Sequence, residues 1–484
     1  MLYKIVRSFA KAALLLALLL PLLSGSVKKT GKRPNIVFIL IDDMGYSDIG
    51  CYGSTYYETP NIDKLAKQGI KFTNAYAAST LCSPTRASIL TGKYPGRLHI
   101  THAIPIEGYS RLPNTPLMDA DYTKNLPLEE VTFAEVLKKD GYKTAAIGKW
   151  HVCWDKQYFP EFQGFEQNMG GGGMGSTMDY FYPYAGKWKM NPQSPVVEWQ
   201  VFPDGKKGEY LTDRLTDETL RFIEQNKEGP FLAYLQHYGV HTPIQAKDSL
   251  IKKYLRKPVD SLKGHTRPKY AAMIESIDES VGRIMKKLDE LGLSDNTIVV
   301  FTSDNGGHGR ITSNWPFRGN KGNFYEGGIR IPLIIKWPGH IKSGRSTDAQ
   351  FISTDFYPTL LGLAHLYAGE EYIDGINQTP LLTQDKSISR NRSLFWHFPN
   401  YTGTGHPNAS GPCSVIRDGK WKLIEYFEDG SLELYDLQKD MKEKNNLAKL
   451  YPQVTASLHK KLAEWRKEAK VQMPRLNPAY QANR

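Results

Sequence analysis

Several separated stretches of this 484-residue sequence carry side chains that can do chemistry together. Cys82 opens Cys82-Ser83-Pro84-Thr85-Arg86, a thiol with a guanidinium four residues on. If the segment starts a helix, both lie on one side, and Arg86 sets a fixed positive charge and hydrogen-bond donors beside position 82. Asp42-Asp43 and Asp304-Asn305 offer four oxygen ligands, three of them anionic. That set suits Ca²⁺ or Mg²⁺ and lacks the imidazole or thiolate that zinc prefers. Lys149 and His151, two apart in Gly148-Lys149-Trp150-His151, share a face if a strand continues through them. His241, in His237-Tyr238-Gly239-Val240-His241-Thr242-Pro243, supplies an imidazole able to protonate a leaving oxygen. His237 reads equally as a neighbour of that centre or as a satisfied interior histidine. Lys321 adds an ammonium in Phe317-Arg318-Gly319-Asn320-Lys321-Gly322, and His308, Trp315 and Arg318 flank these motifs as candidates for substrate contact. Either acidic pair alone would read as a solvated loop; the joint occurrence carries the signal.

Cys82-x-Pro84-x-Arg86, followed by Thr91-Gly92, resembles the signature of the type I, formylglycine-dependent sulfatases of the alkaline-phosphatase-like superfamily. Gly148-Lys149-x-His151, the His241 segment, and Gly319-Asn320-Lys321-Gly322 ahead of Glu326-Gly327-Gly328-x-Arg330 follow in that family's order. The resemblance implies that a maturation enzyme oxidises Cys82 to formylglycine during export. The hydrated aldehyde then attacks the sulfur of a sulfate ester to give a covalent sulfo-enzyme, and its second hydroxyl expels sulfate. It also implies one Ca²⁺ on Asp42, Asp43, Asp304, Asn305 and an oxygen of converted residue 82. Lys149 and Lys321 would bind sulfate, His151 would assist proton loss from the diol, and His241 would act as general acid. Asn320 stands where that family commonly has Gly, a departure bearing on the sugar pocket. The stretches Asp418–Leu423 and Glu433–Leu437 are similar to the close of many bacterial polysaccharide sulfatases, which makes a sulfated glycan the expected substrate. Two alternatives stay open: a phosphate mono- or diesterase of the same superfamily, and a silent binder of sulfated glycans in which Cys82 remains a thiol.

These residues need a scaffold that gathers distant segments. Residues 35–41 form a continuous apolar, β-branched run, as expected of a strand buried on both faces. Similar runs recur at 144–147, 231–235, 297–302 and 331–335, separated by helical periodicity at 61–68, 133–139 and 270–291. The alternation predicts an α/β fold with a mixed, mostly parallel sheet between helices. Ligands of such sheets sit beyond the carboxyl ends of the strands, where the acidic pairs, Lys149 and the histidine segment fall. Past Gly375 come shorter pieces at 393–397, 414–416, 421–426 and 432–436, with Asp418-Gly419 and Asp429-Gly430 as hairpin signals and a terminal helix over 453–467. The expected organisation is a signal peptide over 1–26, a catalytic domain over 33–375 and a small α+β subdomain over 376–484. Gly170–Gly173 reads as a flexible loop, and loops 97–125 and 155–200 as places where substrate choice is made.

The signal peptide is read from Lys4, Arg7 and Lys11 ahead of the apolar run 12–23 and the small residues Ser24-Gly25-Ser26. About 12 apolar residues fall short of the roughly 20 that span a bilayer, so a secreted or periplasmic protein without a permanent membrane span is expected. Losing three basic residues and no acid lowers the formal net charge from +12 to +9. A basic exported protein points to an extracellular polyanion rather than nucleic acid. Four cysteines, Cys51, Cys82, Cys153 and Cys413, exclude a disulfide-dense scaffold, and conversion of Cys82 leaves at most one bridge.

Overall fold

A computed structural model describes residues 32–104, 114–189, 196–367, 369, 372–386, 392–402 and 410–481. The expected signal peptide lies outside them, as do parts of loops 97–125 and 155–200. Strand β1 (Asn35–Ile41) is buried along its whole length. Its alternate residues serve opposite layers: Val37, Ile39 and Ile41 enter one apolar cluster, and Ile36, Phe38 and Leu40 the other. That double burial is why the run shows no polar alternation.

The other strands of this sheet are β2 (Ile70–Tyr76), β3 (Lys143–Gly148), β4 (Gln167–Met169), β5 (Phe231–Gln236), β6 (Thr297–Ser303), β7 (Arg330–Lys336), β8 (Arg345–Thr347) and β9 (Phe351–Ile352). Their spatial order is β8-β2-β7-β6-β1-β5-β3-β4, with β9 also beside β2. Only β7 runs against the rest. The carboxyl ends of β1, β2, β3, β5 and β6 therefore share one rim, and the reversed β7 begins there. Strand β2 is unheralded by any continuous apolar run; only Ile70, Phe72, Ala75 and Tyr76 are buried, close to a period of two.

Helices α1 (Pro60–Gln68), α4 (Leu211–Gln225) and α5 (Pro268–Glu290) cover one face, and α2 (Cys82–Thr91), α3 (Phe133–Lys139) and α6 (Phe356–Leu363) the other. Helix α3 starts where its chemistry dictates: Thr132 accepts from the Glu135 backbone, and Glu135 answers from its side chain. In the C-terminal region β10 (Ser393–Phe398), β11 (Cys413–Asp418), β12 (Trp421–Tyr426) and β13 (Leu432–Asp436) form an antiparallel meander, backed by α7 (Pro452–Glu468). A third cluster joins this layer to the main sheet through Tyr76, Ile329, Ile352, Trp396, Leu423 and Trp465. The described residues from Pro34 onward form one compact unit. The fold is the alkaline-phosphatase-like α/β arrangement expected, with its small antiparallel sheet.

Candidate active site

The site is assembled at the rim from loops that leave five strands and enter a sixth. β2 runs through residues 77–81 into α2, which places Cys82 at the first turn of a helix buried over all ten of its residues. Helix N-termini carry partial positive charge, so position 82 suits an oxyanion. Ser83 holds the approach by accepting from the Ile104 backbone at 3.0 Å. One turn on, Arg86 is fully buried. Its Nε donates to Asp304 Oδ2 at 2.9 Å, its Nη2 lies 2.8 Å from the same oxygen as an ion pair, and its Nη1 donates to the Lys149 carbonyl at 2.8 Å.

Asp42 and Asp43 continue β1 into this centre, the latter with left-handed φ of 60°. Lys149 Nζ lies 2.7 Å from Asp42 Oδ2, and Lys321 Nζ 2.7 Å from Asp43 Oδ1. Lys321 also donates to Cys82 Sγ at 3.4 Å, and the thiol faces Asp42 Oδ1 at 3.6 Å. Asn305 donates to Asp43 Oδ1 at 2.8 Å, and Asp304 Oδ1 accepts from the Asp43 backbone at 3.2 Å. Three carboxylates thus face three cations in a buried cluster. Lys149 is delivered by a turn that only glycine fits: Gly148 has φ of 98°, and a Cβ there would lie 2.0 Å from the Gln236 carbonyl.

The residues present fit a hard divalent cation. One ligand atom each of Asp42, Cys82 and Asp304 lies within 4.8 Å of the others. Asn305 Oδ1 is buried without a hydrogen-bond partner, an arrangement that costs free energy unless something accepts its lone pairs. Burial, opposed by Lys149 and assisted by the carboxylates of Asp304 and Asp43, raises Asp42 to about 8. The same centre makes Cys82 a poor nucleophile as it stands. Burial outweighs Lys149 and Lys321 and lifts the thiol to about 11, so near neutral pH it is protonated.

The histidines divide. His151 is buried, with Nε2 3.2 Å from the Ile104 carbonyl and Nδ1 unpartnered. Burial, then Lys149 and Arg86, holds it well below the ordinary imidazole range. Its main chain rests on Gly172, and its ring lies so close to Gly175 that a Cβ there would come within 2.4 Å. The glycine-rich segment 170–173, expected to be flexible, is thus packed under a site residue. His241 is partly open, with Nε2 3.6 Å from Asp43 Oδ2 and Nδ1 2.8 Å from the Thr242 carbonyl. Burial and Lys321 push it down to about 3, so its resting ring is neutral. His237 is not at the rim. It is fully buried, its Nε2 pairing with Ser280 of α5 at 3.1 Å while Nδ1 has no hydrogen-bond partner, so of the two readings open in sequence it is the interior histidine, satisfied on one nitrogen only. Arg318 faces the C-terminal layer, stacked 3.7 Å from the Tyr325 ring centre and donating to Tyr435 Oη and the Glu443 carbonyl. His308 is half-buried, and its Nδ1 accepts from the Arg310 backbone at 3.2 Å.

Sequence reasoning missed what holds Lys321 in place. Glu443 accepts from the Glu326 backbone at 2.6 Å and from Arg318 through its carbonyl at 2.7 Å, tying both ends of the loop that carries Lys321. Lys422, fully buried on β12, sits between Glu326 and Glu443 at 3.0 and 2.8 Å. Tyr76 donates to Glu326 at 2.6 Å. The available signal was a lysine beside Leu423 and Ile424 in an apolar stretch of the strand. Among the described residues all four cysteines are free thiols.

The sulfatase family model matches residues 34–366, and the model described as N-sulphoglucosamine sulphohydrolase, C-terminal, matches 319–468. A sulfatase of Formosa agariphila is 32% identical over 95% of this chain and 94% of its own length. Human N-acetylgalactosamine-6-sulfatase is 36% identical over 74% of this chain and 67% of its own. The crystal structure of Ps i-CgsB in complex with k-i-k-neocarrahexaose superposes with a TM-score of 0.73 at 28% identity, covering 90% of this chain and 93% of that one. Matched over nearly its whole length by a sulfatase, and over residues 34–366 by the family model, the chain belongs to the sulfatase family and is a sulfuric ester hydrolase.

Proposed function

We propose that this sulfatase desulfates a sulfated carbohydrate, using position 82 as formylglycine and one Ca²⁺ held by Asp42, Asp43, Asp304, Asn305 and the converted residue 82. The observation that carries the reading is the environment of Cys82. A protonated thiol at a helix N-terminus, 3.4 Å from a lysine and 3.6 Å from a carboxylate, is badly made for thiolate chemistry and well made for a converted side chain. The Sγ position stands in for the oxygens of the hydrated aldehyde, which would supply the nucleophile for sulfur. The cation, when bound, would lower the pKa of that hydroxyl and polarise the sulfate oxygens.

The chain's own residues would do the rest. Arg86, fixed on Asp304, holds the converted side chain and keeps a positive charge beside it. Lys149 and Lys321, now capping Asp42 and Asp43, are the cations available to sulfate. His151, neutral and with Nδ1 unpartnered, can accept a proton as the diol collapses. His241 borders the opening, on the leaving-group side. Its neutral resting state means that charge developing on the departing sugar oxygen must draw a proton onto it. Two relatives support a carbohydrate substrate by their names: N-acetylgalactosamine-6-sulfatase, and the neocarrahexaose complex. Export by a signal peptide, to the periplasm or outside the cell, belongs to the same reading. Among the described residues no helix is long and apolar enough to cross a membrane.

The test is expression together with a formylglycine-generating enzyme, mass spectrometry of the peptide containing residue 82, and comparison of para-nitrophenyl sulfate with para-nitrophenyl phosphate. Conversion of Cys82 and preferential sulfate turnover are expected. An intact thiol in active protein, or faster phosphate turnover, would overturn the reading.

A further inference from the structure

The loop between β6 and β7 has both catalytic ends accounted for, Asp304-Asn305 and Lys321, but not its middle. It is folded back on itself. Gly307 donates to Asn314 Oδ1 at 2.8 Å, Asn314 returns a bond to the Gly307 carbonyl at 3.0 Å, and Lys321 donates to the same carbonyl at 3.1 Å. The apex, residues 309–314, faces the approach to α5, and between them lies a cavity of about 350 Å³. Its lining includes Arg267, Arg310, Thr266, Ser313, Asn314 and Asn320 and contains no carboxylate. Arg267 and Arg310 are both exposed, and neither guanidinium has an ion-pair partner among the described residues. Arg267 is also the N-cap residue of the 23-residue helix α5, whose first turn carries no acid to offset its positive end.

The neighbouring cavity of about 650 Å³ shares Gly319 and Asn320 with this one, but its lining sets two carboxylates, Glu428 and Asp429, against one cation, Arg318, whose guanidinium is already stacked on Tyr325 and bonded to the Glu443 carbonyl. It is the wrong sign for a polyanion. The basic cavity is joined to the catalytic centre through its own loop: Asn320 precedes Lys321, and its buried Oδ1 lacks a partner. Asn314, which lines the cavity, also lies beside Gly45, two residues past Asp43: a Cβ there would come 2.9 Å from its Oδ1.

We propose that the cavity between residues 264–267 and 309–320 is a subsite for an anionic substituent, sulfate ester or carboxylate, on a sugar next to the one being desulfated. The inference rests on the carbohydrate reading above and adds that the preferred substrate is a polyanionic oligosaccharide rather than an isolated sulfated sugar. Two unpaired arginines, hydroxyls and amides without a carboxylate recognise anionic oxygens by charge-assisted hydrogen bonds.

The test is competition by dextran sulfate oligosaccharides against para-nitrophenyl sulfate hydrolysis, in the converted, calcium-loaded enzyme and in Arg267→Ala/Arg310→Ala. Para-nitrophenyl sulfate carries no second anionic group for the pocket to hold, so its turnover stays within about twofold and reports folding. The inhibition constant for dextran sulfate rises about tenfold, the effect of two partly solvated charge contacts, and Arg310→Glu alone raises it comparably. Carboxymethyl dextran of matched charge density shows whether the pocket takes carboxylate as well as sulfate. Lys138→Ala/Lys139→Ala, an exposed pair on α3, controls for loss of net charge. Unchanged inhibition by both polymers overturns the subsite, as does an equal loss in the lysine control or a parallel loss of aryl sulfate turnover in both arginine variants. A wild-type enzyme without aryl sulfate turnover refutes the proposed function instead, and direct titration of dextran sulfate into it still decides the subsite.

Discussion

Lys422→Met tests whether the C-terminal layer holds the catalytic loop. Lys422 is fully buried, and its ammonium lies 3.0 Å from Glu326 and 2.8 Å from Glu443. Glu326 has a second cation, Arg330 at 3.2 Å, and a hydrogen bond from Tyr76. Among the described residues, Glu443 then keeps only the Glu326 backbone amide as a charge-stabilising donor. Removing one partner of a buried pair costs about 3–5 kcal/mol. Unfolding entropy of about 2.1 cal/mol/K per residue makes that about 3–5 °C in Tm for a chain this long.

The loss should depend on pH. Burial first, then Glu326, already raises Glu443 from 4.5 to about 7 despite Lys422, and without the lysine it rises further. A carboxyl whose folded pKa exceeds its unfolded one binds more protons folded. Its contribution is present in acid and lost as pH climbs above about 4.5. Scanning fluorimetry should therefore show a small deficit at pH 5 and the full one at pH 8. Lys422→Met/Glu443→Gln, which removes the stranded charge, should recover about half of it. Turnover of para-nitrophenyl sulfate should fall about ten- to hundred-fold as the Lys321 loop loses its anchor. A deficit below about 1 °C at pH 8, or one equal at both pH values, would refute the argument that one buried lysine compensates two carboxylates.

Cys82→Ala should remove at least about 10³-fold of the sulfatase activity while shifting Tm by no more than about 2 °C; substantial residual turnover would rule out the nucleophile. Ca²⁺ added to chelator-treated protein at a hundredfold over its Kd should stabilise it by about 2.7 kcal/mol, near 3 °C, and Asn305→Ala should weaken that affinity. A melting curve indifferent to Ca²⁺ would count against the cation. His241→Gln should lower kcat on a sugar sulfate about 10²- to 10⁴-fold but much less on para-nitrophenyl sulfate, whose phenolate leaves without a proton. Equal losses on both would exclude the general-acid role.

The sequence by itself determined five strands of the main sheet, because burial on both faces writes continuous apolar runs such as residues 35–41 that need no partner to be recognised. It also determined that Asp42-Asp43, Lys149 and Asp304-Asn305 share a rim, since strands running the same way end on the same side. Cys82 was legible through its motif, although β2, which delivers it, was not: near the sheet margin it is buried only in part and never forms an apolar run. Only the tertiary structure decided that His237 turns inward to Ser280 while His241, four residues on, borders the opening. It decided that Arg318 faces the C-terminal layer and that Lys422 reaches a glutamate 96 residues away. Periodicity is a property of neighbours along the chain. An ion pair is a property of two surfaces brought together, and in a buried one the choice of partner is set by which charge would otherwise be stranded without water.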